Sequence, residues 1–301
     1  MIILPMPGSE WLDCIARDLH GAAGAVEVHR FPDGEARVRI TGPLGGEHAV
    51  LVARLDRPDD KVLPLLFAAE TARDLGAASV GLVAPYLPYL RQDRRFRAGE
   101  GVSARLFTGL LSQAVDWLVT VDPHLHRIST LAELFSIPAE ALHAAPLLAS
   151  WIHRHVEAPL ILGPDAESVQ WVASIARLVD APHAIFGKRR ADDRRVEITL
   201  PDLAAYTGRR PVLADDIVSS GVTMAAAVRA LRAAGWPAPV CLAVHAVFAD
   251  GAHEALRDAG AAKVVTCNTI PHPSNAIDVQ NLLADAVSRR LSQCHARELR
   301  A

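Results

Sequence analysis

Pro211-Val212-Leu213-Ala214-Asp215-Asp216-Ile217-Val218-Ser219-Ser220-Gly221-Val222-Thr223 decides how this chain is read. Residues 211–214 suit a buried parallel strand, two adjacent carboxylates follow, and a small-residue loop then runs into a helical pattern from Met224 to Ala234. Ser-Ser-Gly-Val-Thr at a helix start offers backbone N–H groups, hydroxyls and the positive end of a helix dipole to one phosphate. Two carboxylates at a strand end can accept hydrogen bonds from neighbouring sugar hydroxyls. Together they fit a phosphate at one end and a vicinal diol at the other, the outline of ribose 5-phosphate. The same pattern also suits an ordinary strand–turn–helix with a polar turn.

Outward from this stretch, short β-rich runs alternate with amphipathic helices, which predicts an α/β fold with largely parallel sheets. Strands are expected at 1–4, 26–29, 36–40, 48–53, 80–84, 117–121, 160–162, 183–186, 196–199, 240–245 and 263–266. Helices are expected from Ser9 to Leu19, Asp59 or Asp60 to Leu75, Ser103 (as cap) to Ala114, Pro146 to Val156, Glu167 to Leu178, Ala252 to Asp258 and Val279 to Leu291. The two halves share an order of elements without a close sequence repeat. We expect domains at 1–145 and 146–278, with helix 279–301 returning to the first.

The chain has 301 residues, 50% apolar and 22% charged, enough for two cores and too apolar for disorder. A net charge of −3 gives no nucleic-acid or acidic-membrane footprint. Apolar runs are too short to span a bilayer, and the first residues lack a secretory signal pattern. Cys14, Cys241, Cys267 and Cys294 lack zinc-ligand spacing and read as thiols of a reducing cytoplasm. His153 and His155 read as surface residues. Walker, GxGxxG and GxSxG patterns are absent, which disfavours P-loop kinases, Rossmann dehydrogenases and α/β-hydrolases.

Four further clusters each follow an expected strand, where open α/β sheets gather ligands. Arg91-Gln92-Asp93-Arg94-Arg95-Phe96-Arg97 places four guanidinium forks within seven residues, suited to a polyphosphate or to a solvated loop. Asp122-Pro123-His124-Leu125-His126 can share an ion or touch a phosphate, or serve as a capped polar loop. Asp165 is an oxygen ligand for magnesium or a helix N-cap. Lys188-Arg189-Arg190, continuing to Arg195, is a cationic arm able to close over a reacting phosphate, or a solvated hairpin.

With these residues assembled, the chain resembles the ribose-phosphate pyrophosphokinases. Phe31-Pro32-Asp33-Gly34-Glu35 is similar to the family's FxDGE, 89–94 to its YxRQDR, and 120–124 to its TVDxH. Residues 187–190 match its KRR loop, 215–223 its DDIxxxGxT, and 268–271 its NTIP. The resemblance implies two tandem phosphoribosyltransferase-type domains, only the second keeping the ribose-phosphate loop. It implies transfer of the diphosphoryl group of ATP to ribose 5-phosphate, with Mg2+, in a cytoplasmic homo-oligomer built from dimers, tetrameric or hexameric. Arg91, Gln92 and His124 would hold ATP, with Phe31, Asp33 and Glu35 reaching adenine bound by a neighbouring subunit. Asp122, His124 and Asp165 would lie at the metal. Asp215, Asp216, Ser219, Ser220, Gly221 and Thr223 would hold ribose 5-phosphate, and Lys188 and Arg190 would stabilise the transition state. The alternatives are a nucleotide-sensing regulatory homologue, a phosphoribosyltransferase, and a diphosphokinase acting on another sugar phosphate. Two departures stand out: Ser219 and Val222 replace a carboxylate and a glycine, expected to stiffen the loop, and Ala166-Glu167 replace Gly-Gly, expected to set a bulky anion where backbone approaches substrate.

Overall fold

The protein is described by a computed structural model over residues 1–9, 21–190 and 196–298. The helix expected at 9–19, with Cys14, lies outside these residues from Glu10 on, as does the 191–195 part of the cationic arm. The chain forms two compact units, Met1–Leu142 with Gln280–Ala301, and His143–Val279.

In the first unit, β1 (Ile2–Pro5), β2 (Ala22–Ala23), β5 (His48–Val52), β6 (Ser79–Val83), β7 (Trp117–Val121) and β8 (Ala139–Leu142) form one parallel sheet, ordered β2-β1-β5-β6-β7-β8. β5 and β7 are buried throughout, as befits parallel strands covered on both faces. A separate antiparallel hairpin, β3 (Ala25–Arg30) and β4 (Ala36–Thr41), lies against helix Asp59–Asp74. Helix Gln280–Glu298 packs on β7 and β8, where Arg289 and Arg290 donate to the Glu140 carboxylate at 2.8 and 3.0 Å.

The second unit repeats the plan. β9 (Pro159–Gly163), β10 (His183–Ile185), β13 (Arg210–Val218), β14 (Val240–Ala246), β15 (Lys263–Cys267) and β16 (Asn275–Ile277) form a parallel sheet ordered β10-β9-β13-β14-β15-β16. Numbered by their place in the chain, the strands of both sheets lie in the order 2-1-3-4-5-6. A hairpin, here β11 (Gly187–Arg190) with β12 (Val196–Thr199), is again inserted between the second strand and the third.

Several elements differ from the sequence reading. β13 continues through both carboxylates to Val218, because its pairing with β14 persists to Val218 and Ala246. The short strands β2, β8 and β16 escape a reading by composition; each pairs on one side only, at a sheet edge. Ser103 is the first helical residue, not the cap, and its hydroxyl donates to Gln92 Oε1 instead. His153 and His155 are exposed; the His155 ring stacks on Trp151 at 4.3 Å.

Candidate active site

In the second unit the site forms where the strand order reverses. β9 pairs with β13 only as far as Leu162 and Leu213, so beyond them the two strands part and a crevice opens. Asp165 leaves the end of β9 in an extended conformation and accepts the Glu167 N–H at 3.0 Å. Gly163 is demanded by close approach: a Cβ there would stand 2.2 Å from Ser168 Oγ and 2.6 Å from Ile185 Cδ1. Asp215 and Asp216 line the β13 side, half-buried. The Asp216 N–H donates to Asp215 Oδ1 at 3.1 Å, and the Ile217 N–H to Asp216 Oδ1 at 2.8 Å.

Burial pushes the Asp215 carboxyl well above the usual range, and the Asp216 and Asp165 carboxylates add to this. Carboxylate oxygens are hard donors, suited to a magnesium ion or to sugar hydroxyls.

Past Val218 the backbone turns at Gly221, in the left-handed region at φ +69°, where a Cβ would also meet the Ala252 carbonyl at 3.3 Å. Helix Val222–Ala233 starts there, two residues earlier than the sequence suggests, and no side chain caps its first turn. Its leading N–H groups therefore lack a side-chain acceptor and point where an anion can sit. Val222, expected to stiffen the loop, is an exposed first helical residue; the left-handed turn is made by Gly221 before it. Glu167, expected as a bulky anion in the approach path, is exposed, and its backbone N–H is spent on Asp165. β12, which pairs with Gly187–Arg190 in the hairpin, packs against helix 222–233.

The NTIP segment is a latch. Asn268 bonds Asp278 at 3.0 Å and accepts the Val279 N–H at 2.9 Å. The Thr269 hydroxyl donates to the Val244 carbonyl at 3.0 Å, so the 2.9 Å contact with His245 Nδ1 is donated by the imidazole.

In the first unit, a second group lies beyond the carboxyl ends of β6 and β7. Tyr89 has φ +64° and Asp122 φ +34°, backbone conformations unusual outside glycine. Tyr89 packs on Phe107 and donates its hydroxyl to Asp59. Asp93, almost wholly buried, takes Arg127 Nη1 on both oxygens at 3.1 Å, tying the Arg91 loop to the His124 loop. Glu100 accepts the Phe96 and Arg97 N–H groups, which draw its pKa down, and Arg95 donates to its carbonyl. Arg91 stays exposed and Gln92 half-buried, and the His124 ring meets His126 edge-on at 3.9 Å. Phe31, Asp33 and Glu35 form the exposed tip of the β3–β4 hairpin, closed by Gly34 at φ +94° and by the Asp33 carboxylate on the Glu35 N–H at 3.1 Å.

Sequence profiles bear on this arrangement. The N-terminal domain of ribose phosphate pyrophosphokinase matches residues 7–114, and a phosphoribosyl transferase domain matches residues 131–282. The chain belongs to the ribose-phosphate pyrophosphokinase family. Within that family it is 33% identical to the ribose-phosphate pyrophosphokinase of Methanopyrus kandleri, over 91% of this chain and 93% of that one. It is 30% identical to that of Sulfolobus acidocaldarius, over 97% and 100% respectively. The crystal structure of phosphoribosylpyrophosphate synthetase from Mycobacterium smegmatis superposes with a TM-score of 0.85 at 26% identity, covering 97% of this chain and 99% of that chain. The tandem phosphoribosyltransferase-type architecture is thus the family's own.

Sequence reasoning missed Ser103 as the partner of Gln92, and the Arg54, Asp56 and Lys61 group in the first unit. Only the hydroxyl eleven residues after Gln92, at a helix start, could have hinted at the first.

Two outcomes test this geometry. Gly163→Ala should destabilise the protein by about 1–3 kcal/mol from overpacking; an unchanged urea midpoint would contradict the close approach. A folded carboxyl with a raised pKa holds its proton more tightly than the unfolded chain does, so ionising it costs stability as pH rises above about 4. Asp215→Asn should therefore raise the Tm of the ligand-free protein at pH 7, with the gain fading toward pH 4. A loss at pH 7, or a gain independent of pH, would refute the desolvation argument.

Proposed function

We propose that this chain transfers the β,γ-diphosphoryl group of ATP to the anomeric hydroxyl of ribose 5-phosphate, giving phosphoribosyl pyrophosphate and AMP. The observation that carries the reading is the acidic pair Asp215 and Asp216 on β13, followed after the left-handed turn at Gly221 by a helix start that no side chain caps. Asp215 and Asp216 accept the ribose hydroxyls, while Ser219, Ser220, Gly221 and Thr223 surround the 5-phosphate with hydroxyls and N–H groups. Arg91, Gln92 and His124 hold the ATP phosphates and ribose. Phe31, Asp33 and Glu35 reach the adenine of a nucleotide held by a neighbouring subunit in a dimer-based homo-oligomer.

The anomeric hydroxyl attacks the β-phosphorus in line as the bond to the α-phosphate oxygen breaks and AMP leaves. Catalysis is then chiefly positioning and charge stabilisation. Lys188 and Arg190 lie two residues apart on β11. Closing over the reaction, they offset charge that builds on the transferring phosphoryl oxygens. Asp122, His124 and Asp165 would hold Mg2+, carboxylate oxygens being the hard donors that ion takes. When bound, Mg2+ neutralises phosphate oxygens and eases departure of AMP.

Among the described residues no helix is long and apolar enough to cross a membrane. Cys241 is a buried thiol, in keeping with a cytoplasmic setting.

A coupled assay with ATP, magnesium and ribose 5-phosphate should release AMP, and chelation by EDTA should abolish the release. Nucleotide binding without turnover would instead assign a regulatory homologue. Lys188→Ala and Arg190→Ala should each lower kcat on the order of a hundredfold or more; near-normal turnover in both would remove their role. Asp216→Ala should raise the KM for ribose 5-phosphate, and unchanged saturation would contradict the diol contact.

A further inference from the structure

The two sheets share one strand order, yet only the second unit's reversal point has been given a ligand. In the first unit the matching place lies outside the carboxyl ends of β1 and β5. There a cavity of about 270 Å3 opens, with Met6, Val28 and Leu65 as apolar wall and Arg30, Arg54 and Lys61 as cations. It is at the small end of the range for ligand pockets, room for a single ring system with a head group.

The cations are held in place. Asp56, 7% exposed, accepts from Arg54 Nε and, at 2.8 Å, from Arg54 Nη2; Lys61 Nζ reaches its Oδ1 at 3.2 Å and also its carbonyl. Ser9, just beyond β1, takes the Arg54 N–H on its hydroxyl at 2.8 Å, pinning the two strand exits together. Arg30, from the hairpin, donates to the Asp60 carbonyl. Counting Asp60 as well as Asp56, three cations face two carboxylates, and Arg57 adds a further positive charge nearby. Burial lowers the Lys61 pKa; Asp56 opposes this, while Arg54 and Arg57 reinforce it. An arriving anion would relieve that strain.

We propose that this cavity is a second small-molecule site, taking a phosphate ester with a single-ring apolar body: the anionic head meets Arg54 and Lys61, and the ring rests on Met6, Val28 and Leu65. The reversal point in one unit is acidic and in the other basic, so the same fold would take a diol in one and a bare anion in the other. This site is independent of the reading of the 219–223 loop.

The test is calorimetric titration of the full chain at fixed ionic strength with phenyl phosphate, inorganic phosphate and phenol. Ribose 5-phosphate is titrated first and kept saturating, so that failure of the 219–223 loop to bind it is seen separately. Phenyl phosphate should bind once per chain, at least tenfold more tightly than inorganic phosphate or phenol. Val28→Phe, which fills the cavity, and Lys61→Gln, which removes a charge, should each weaken it tenfold or more. Arg30→Gln, at an exposed position, should weaken it as well and guards against misfolding of the other two. Absence of binding, equal binding of the three probes, or binding unchanged in folded variants would overturn the proposal.

Discussion

A half-buried carboxylate near the end of a largely buried strand governs the architecture of the second unit. Asp215 sits on β13 two residues beyond the last pairing with β9, where the two strands have parted. Charging a group so hemmed in by protein, beside two other carboxylates, costs free energy. Folded proteins keep such an arrangement when something returns the cost on binding, as the cation or diol proposed for this site would. The surrounding details serve that position. Gly163 lets the turn after β9 approach closely, Gly221 takes the left-handed bend, and the continued pairing of β13 with β14 keeps the acidic pair rigid.

The duplicated strand order shows how one scaffold diverges. Both units have six parallel strands with the same crossover and a hairpin at the same point, yet the side chains at their strand ends differ in sign. In the first unit the catalytic-looking groups moved two strands over, to the ends of β6 and β7. There the Asp93–Arg127 pair and the strained backbone at Tyr89 and Asp122 hold two loops in place. The start of helix 59–74 anchors the first of these loops and the β3–β4 hairpin, since Tyr89 bonds Asp59 and Arg30 bonds the Asp60 carbonyl.

Much of this was legible in the sequence. The buried strands, the helix at 103–114 and the placement of the 91–97, 122–126 and Asp165 groups after strands follow from apolar runs and turn residues. The length of β13 was not, because two aspartates disfavour a strand by composition and are held there by one-sided pairing with β14. The edge strands at 22–23, 139–142 and 275–277 carried no signal, since a single neighbour defines each. Val222 reads as stiffening the loop, yet the turn lies at Gly221 before it. Arg54, Asp56 and Lys61 look like ordinary helix-start polarity in sequence, and only the joining of β1 and β5 brings them to a cavity.

The most direct test is a crystal structure of the protein with ribose 5-phosphate and magnesium. The account predicts the 5-phosphate on the first-turn N–H groups of helix 222–233 and the sugar hydroxyls on Asp215 and Asp216. A sugar phosphate bound elsewhere, or bound here with its phosphate away from that helix start, would contradict it.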